Sequence, residues 1–95
     1  MRTYIWDEEK NAWLLAHRGV RFEMVVEAAL AGRTLGEIDH PSPRYPGQKI
    51  LIVEMTGYVY LVPFRESEET AHLITIIPSR KAKKRYGKNR SLKDV

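Results

Sequence analysis

Lysine, arginine and one tyrosine are concentrated near the end of the chain, directly after an apolar stretch. The segment "TIIPSRKAKKRY" runs from Thr75 to Tyr86. Cations at this density favour an anionic partner, such as a nucleic acid, an acidic protein or a membrane surface. Four of these residues are interpreted as a phosphate-binding surface, with a solvated charged segment as the alternative: Lys81, Lys83, Lys84 and Arg85.

Arg80 is the cation most firmly placed by the sequence, because it follows the apolar strand that Pro78 ends. A strand end fixes the position of a side chain better than a flexible tail does. A guanidinium can donate two parallel hydrogen bonds to two oxygens of one phosphate. Tyr86 follows at a distance where one or two helical turns bring it near Arg80 or Lys83. A tyrosine there can stack on a base or donate a proton, although a plain packing role fits equally well.

Two further cations flank a predicted hairpin. Lys49 starts its first strand and Arg65 follows its second, so we expect both near one edge of the sheet, where they converge on an anion. Ordinary protection of a sheet edge is an equal alternative. His40 lies in the proline-rich loop with Asp39 and Arg44, where an imidazole could exchange protons near neutral pH. An exposed loop histidine is the simpler interpretation.

The other two histidines have structural interpretations. His17 closes a helix, where a protonated ring interacts well with the helix dipole. His72 begins a strand and should point away from the side of Leu73. No spacing of His, Asp and Glu resembles a metal site, and there is no nucleophile-base motif or glycine-rich phosphate loop, so no cofactor or metal is expected.

Length and composition indicate one globular domain. The chain has 95 residues, of which 43% are hydrophobic and 29% charged, and it has no cysteine. Its apolar stretches are shorter than the ~20 residues of a membrane span, and no signal-peptide pattern opens it, so we expect a soluble cytoplasmic protein. Eight of the sixteen Lys and Arg residues lie from Arg80 to Lys93, which makes the molecule electrically polarised.

Local signals predict a short strand followed by two helices. Tyr4 to Trp6 form the strand, and Asp7 caps a helix that runs to about Arg18 and stops at Gly19. A second helix runs from about Arg21 to near Gly32, with one apolar stripe.

The second half of the chain predicts strands. A short strand over 35–38 is expected to enter a loop rich in proline and glycine. A hairpin follows, in which "KILIVEM" and "YVYLVPF" are joined at Thr56-Gly57. The polar stretch "RESEET" reads as a turn, "AHLITIIP" as a third strand, and the basic segment as a final helical turn or two.

The predicted fold is α+β, with two helices packed on one face of a small antiparallel sheet. Residues 1–87 form the domain and 88–95 a basic flexible tail.

Strand alternation makes both faces of this sheet largely apolar. Two short helices can cover only one face. The second must therefore meet the C-terminal segment, a partner protein or another copy of the chain.

Three stretches resemble BrnT-type toxins of bacterial type II toxin–antitoxin systems. They are "YIWDEEKNAWLLAHRGVRFE" (4–23), "LVPFRE" (61–66) and "LITIIPSRKAKKRY" (73–86), in the family's order and at about its spacing. The chain departs from the family pattern at Arg18, where many relatives have histidine, and at Pro78.

This resemblance implies a RelE-like fold and a metal-independent endoribonuclease that inhibits translation. It also implies a partner, an antitoxin of ribbon-helix-helix type. The expected assemblies are a homodimer of this chain and a hetero-oligomer of toxin and antitoxin. The catalytic candidates are then Arg80, Lys49, Arg65, Tyr86 and His40. The rival hypothesis is a basic module that binds nucleic acid or protein without catalysis.

Overall fold

The structure, a computed structural model, describes residues 2–87, so the predicted tail of residues 88–95 lies outside the described part. The fold class is α+β, as the sequence predicts, with two helices that precede most of a sheet. No helix within residues 2–87 is long and apolar enough to cross a membrane. The elements are β1 Thr3–Ile5, α1 Glu8–Arg18, α2 Phe22–Leu30, β2 Thr34–Asp39, β3 Gln48–Met55, β4 Tyr58–Ser67, β5 Thr70–Leu73, β6 Ile77–Pro78, α3 Arg80–Ala82 and a π-helical stretch Lys83–Gly87.

Helix α1 begins and ends at the predicted residues. The Asp7 carboxylate accepts a hydrogen bond from the Glu9 N–H at 2.9 Å, which satisfies one of the free donors of the first turn. Gly19 takes the left-handed conformation at φ 69°, and its N–H donates to the Leu15 carbonyl. This conformation reverses the chain cheaply only at glycine.

A buried asparagine joins the two helices. Asn11 of α1 is 6% exposed, and its Oδ1 accepts the Phe22 N–H at 2.7 Å while its Nδ2 donates to the Glu23 carboxylate at 2.8 Å. Helix α2 has no side-chain cap of its own, because Arg21 makes no capping hydrogen bond. Asn11 therefore caps α2 from the neighbouring helix.

The sheet is mixed rather than wholly antiparallel, which corrects the prediction. Its strand order is β1-β5-β4-β3-β2, and β6 pairs with β4 on the side where β5 also lies. All pairs are antiparallel except β1 with β5. These two strands are joined through the rest of the sheet and both helices, and such a long connection allows parallel pairing, which a tight turn does not.

Two tight turns set the register of the central strands. Thr56 and Gly57 both have positive φ, 53° and 77°, as in the two-residue turn that matches strand twist. Strand β4 continues to Ser67, so the predicted polar turn shrinks to Glu68 and Glu69.

The third predicted strand is interrupted. Phe64 pairs with Leu73, and Leu61 pairs with Ile77. The three residues 74–76 therefore lie opposite the two residues 62–63 of β4, and the extra residue makes a β-bulge. The Ile74 N–H donates to the Pro63 carbonyl at 2.9 Å, so the backbone nitrogen of Pro63 faces the same residue. Because proline has no N–H to return that bond, the ladder stops there.

Each face of the sheet has its own core. The helix face packs α1 and α2 against side chains that include Leu51, Val53 and Phe64. The opposite face, here the C-terminal face, packs Ala82 against Ile50, Ile52 and Val59, with Leu35, Leu61 and Tyr86 around them. Of the three coverings expected for this face, the structure therefore shows the C-terminal segment.

Replacing Ala82 by glutamate should detach this segment. Ala82 is 7% exposed, and a carboxylate there would be buried against aliphatic side chains without a partner. We expect the free energy of unfolding in urea to fall by about 1–3 kcal/mol, with faster hydrogen exchange at the amides of Ala82 and Lys83.

Lys84→Glu is the matched control, because Lys84 is exposed two residues further along the same segment. Equal losses of stability in the two variants would show that Ala82 does not anchor the segment.

Candidate nucleic-acid interface

The C-terminal segment holds its cations outward because one small residue faces inward. The Ser79 hydroxyl accepts the Ala82 N–H at 3.0 Å, and the Ser79 carbonyl accepts the Lys83 N–H at 2.9 Å, so this short helix starts at a defined point. With Ala82 on the sheet, the basic residues around it are exposed: Arg80, Lys81, Lys83, Lys84 and Arg85. Within residues 2–87 none of these five forms an ion pair.

Aromatic contacts fix part of this segment. The Lys83 Nζ donates to the Gly57 carbonyl at 3.1 Å and lies 5.3 Å from the centre of the Tyr58 ring. Tyr86 lies beside Gly36 of β2, where an added Cβ would be 4.0 Å from its ring, and the Arg85 guanidinium lies 5.8 Å from the same ring. The segment therefore crosses the sheet from β6 to β2.

A second polar group lies on the C-terminal face at the other end of the strands. Arg65 is paired with Gln48 on one side and with His72 on the other. His40 extends the row, because its N–H donates to the Gln48 carbonyl at 2.9 Å and strand alternation places it on this face. These four residues, one on each of four adjacent chain segments, are here called the terminal row: His40, Gln48, Arg65 and His72.

Neighbouring members of the terminal row are within reach of one ligand. Cross-strand neighbours on one face have Cβ atoms about 4.5–5.5 Å apart. The side chains of Arg65 and His72 are exposed and make no hydrogen bond or ion pair within residues 2–87. A guanidinium and an imidazole thus stand side by side, both open to an incoming anion.

His40 differs from His72 because one of its ring nitrogens is already used. Its Nδ1 accepts the Ser42 N–H at 3.1 Å, and its ring packs on Tyr45 with centroids 4.8 Å apart. A proton cannot add at Nδ1 without breaking the Ser42 bond, so the ring presents Nε2–H as a fixed donor. The expected proton exchange is better suited to His72.

Lys49 and Arg65 do not converge on one anion, which corrects the sequence interpretation. Both lie at the predicted edge, but Lys49 is paired with Phe64, the residue before Arg65, and alternation therefore sends it to the helix face. There its ammonium is 3.2 Å from Glu66 and 3.9 Å from Glu37.

Arg2 completes a four-residue ion network on the helix face. Its guanidinium is 2.8 Å from Glu37 and 3.4 Å from Glu66, and it lies 5.0 Å from the centre of the Phe64 ring. The hydrogen bond from Lys49 lowers the pKa of Glu66, and the same bond raises the pKa of Lys49. The two acids thus compensate the charges of the two bases. Lys49 has acidic partners, whereas the cations of the C-terminal segment have none within residues 2–87.

The remaining catalytic candidates, Arg80 and Tyr86, lie away from the terminal row. Tyr86 packs near Ile52, four residues along β3 from Gln48, which corresponds to about 13 Å of strand. Arg80 follows Pro78, which is paired with Tyr60, five residues along β4 from Arg65. The face therefore has two basic regions, the terminal row and the C-terminal segment, with apolar residues such as Ile50 and Pro63 between them.

His72 is the residue that sequence reasoning left out of the site. Its predicted orientation opposite Leu73 agrees with the pairing of Leu73 to Phe64 on the helix face. Its neighbour Arg65 lies within β4, because that strand continues to Ser67 where the sequence predicts the polar turn "RESEET".

No family model, curated protein or solved structure matches this chain in the three comparisons made. Among residues 2–87 no group of three or more His, Asp or Glu side chains is arranged to hold a metal ion.

The ion network predicts a pH dependence of stability. The pKa of Glu66 is lower in the folded protein than its ordinary value of 4.5, so its contribution is present above that value and is lost as the pH falls through the folded pKa. We expect the urea midpoint to fall on acidification below pH 5, and the fall to be smaller in Glu66→Gln.

Glu27→Gln is the control, because Glu27 is exposed on α2 and forms no ion pair within the described residues. An identical acid profile for Glu66→Gln and the parent protein would contradict the role of the network.

Proposed function

We propose that the protein is an endoribonuclease that cleaves single-stranded RNA on its C-terminal face, and that it acts in the cytoplasm as the toxin of a type II toxin–antitoxin pair. The observation that carries the proposal is the terminal row, in which His72 and Arg65 are exposed cross-strand neighbours without partners in the described part of the chain. The resemblance to BrnT-type toxins supports the same function.

The proposed reaction is attack of a ribose 2′-oxygen on the adjacent phosphorus. His72 removes the 2′-OH proton, the new P–O bond closes a cyclic phosphate, and the bond to the 5′-oxygen breaks as that oxygen takes a proton from solvent. Arg65 stabilises the negative charge that develops on the phosphate oxygens, and the Nε2–H of His40 donates a hydrogen bond to one of them. The protein's own cations supply the charge stabilisation, so the proposal is metal-independent.

The C-terminal segment binds the RNA strand to one side of the reacting phosphate. Arg80, Lys81, Lys84 and Arg85 contact phosphates, and Tyr86 offers a ring edge to a base. Arg80 and Tyr86 thus act in binding, rather than at the reacting phosphate as the sequence interpretation had them. Lys83 is partly occupied by Gly57 and Tyr58 and serves mainly to hold the segment on the sheet.

Loss of the terminal row should abolish cleavage. We expect Arg65→Ala and His72→Ala each to lower the rate of cleavage of a single-stranded RNA in metal-free buffer by about 100-fold or more. His17→Ala and Arg21→Ala are matched controls, because both residues lie on the helix side of the molecule. The same variants are also expressed in a bacterial host, and growth and RNA integrity are measured. This assay detects cleavage that requires the ribosome.

A different result identifies the rival function. Parent protein that binds RNA with an affinity that falls steeply with salt, but leaves RNA and growth intact, would be a non-catalytic binding module. Equal activity of His72→Ala and His17→Ala would remove the terminal row from the mechanism.

We propose as partner an antitoxin, of ribbon-helix-helix type, whose acidic stretch covers the same cations. The support is the unpaired charge of the C-terminal segment, which an acidic chain complements as well as RNA does.

Co-expression with such an antitoxin, sought among the small reading frames adjacent to the gene, should restore growth. The complex should weaken at least tenfold, by calorimetry, when Arg80 and Lys81 are changed to glutamate. A complex of unchanged affinity would place the partner elsewhere.

A further inference from the structure

Helix α1 has an apolar surface on the side that faces away from the sheet. The helix contributes two buried residues, Asn11 and Leu14, to the interior of the molecule. The apolar residues around them are exposed, and they are here called the outer face of α1: Ala12, Trp13, Leu15 and Ala16. Two of these are large, and Trp13 is 40% and Leu15 49% exposed. Residues 2–87 therefore leave much of this apolar surface open.

The helical repeat places the small residues of the outer face at its centre and the large ones on its flanks. At about 3.6 residues per turn, Ala12 and Ala16 lie one turn apart on the side opposite Leu14. Trp13 then lies on one flank and Leu15 on the other. Two alanines allow the axis of a second helix to approach to about 8 Å, and the large side chains can close over its sides.

Trp13 is held in position by its neighbours on α1. Its ring stacks on the His17 ring with centroids 4.4 Å apart, and the Lys10 Nζ lies 4.4 Å from the centre of the indole. The His17 Nδ1–H donates to the Trp13 carbonyl at 3.0 Å. Because the ring is already ordered, burying it in an interface costs little further side-chain entropy. Tryptophan is also among the residues that contribute most to binding at protein interfaces.

The charges at the two ends of α1 indicate which partner fits the outer face. Glu8 and Glu9 lie in the first turn of the helix. His17 and Arg18 lie in its last turn, and Arg21 follows as an exposed cation. A second copy of α1 that runs antiparallel places the acidic end of each helix beside the basic end of the other, whereas a parallel copy brings like charges together. The outer face is thus electrostatically complementary to itself in the antiparallel arrangement.

We propose that the protein forms a symmetric homodimer through the outer face of α1, with the two helices antiparallel. Residues close to a two-fold axis contact their own copies. An axis that passes between Ala12 and Ala16 brings Trp13 against Trp13 of the second copy on one flank, and Leu15 against Leu15 of the second copy on the other. Glu9 then lies at the basic end of the second helix, within reach of its Arg21.

This dimer leaves both C-terminal faces free. The outer face of α1 points away from the sheet, so each C-terminal face lies on the side of its subunit away from the interface. The inference therefore does not rest on the proposed function, and each subunit keeps its own terminal row. Because α1 has 11 residues and is about 16 Å long, the interface is small, and we expect a reversible dimer in the micromolar range.

Sedimentation equilibrium from micromolar to millimolar concentration tests the dimer. The mass of the parent protein should rise from 11.0 kDa toward twice that value. Leu15→Glu should weaken the dimer at least tenfold, because two carboxylates would meet across the axis in an apolar contact. Leu30→Glu is the matched control, since Leu30 is 72% exposed on α2 and lies outside the outer face. Circular dichroism shows whether each variant is folded.

Exchanging charges tests the antiparallel arrangement. Glu9→Lys and Arg21→Glu should each weaken the homodimer, because each places like charges at both ends of the interface. An equimolar mixture of the two variants restores both opposite-charge pairs, so the mixed dimer should be about threefold or more tighter than either variant with itself.

Four outcomes would overturn the proposal. A mass of 11.0 kDa at all concentrations would remove the dimer. Equal dimerisation of Leu15→Glu and Leu30→Glu would remove the outer face of α1 from the interface. Amide signals of the ¹⁵N-labelled parent protein that shift with concentration in the sheet but not in α1 would do the same. A mixture that associates no more tightly than its two components would exclude the antiparallel arrangement.

Discussion

The apolar character of both faces of the β3–β4 hairpin is the constraint on which the rest of the structure depends. Val53 and Ile52 are adjacent in sequence and point to opposite sides, yet each is almost fully buried. The two helices bury the first side, and the second requires another cover. That cover is the segment after Ser79, which packs through Ala82. The hydrophobic effect on a sheet face thereby positions a row of cations that would repel one another in a free chain.

Charge is distributed between the faces in two different ways. On the helix face Arg2 and Lys49 meet Glu37 and Glu66, and the four charges largely compensate each other. On the C-terminal face the cations of residues 80–85 have no acidic partner within the described residues. Exposed ion pairs contribute little to stability, so the main effect of the helix-face network is to leave the attraction for anions on one side of the molecule.

Local features were predictable from the sequence, and contacts between distant segments were not. Asp7, Gly19 and the Thr56-Gly57 turn act within a few residues of themselves, and the structure confirms each of them. The parallel pairing of β1 with β5 has no local signal, and neither does the capping of α2 by Asn11.

The turn at Thr56-Gly57 and the proline at Pro63 carry further information about strand pairing. A two-residue turn at Thr56-Gly57 pairs Met55 with Tyr58, and counting back from it pairs Gln48 with Arg65. Arg65 therefore shares a sheet face with Gln48, and Lys49, the next residue, lies on the opposite face. Pro63 is a similar signal for the interrupted third strand, because a proline inside a central strand removes a ladder hydrogen bond.

The C-terminal face is completed late in synthesis, because its cover is the segment that follows Ser79. The segment after Ser79 leaves the ribosome only after the helices and the hairpin have emerged. Until then Ile50, Ile52 and Val59 lack their cover, and the phosphate-binding side chains of residues 80–85 do not yet exist. A chain that ends before Ser79 would expose these apolar side chains and lack the cations of residues 80–85, so chaperones and proteases would bind it before RNA does.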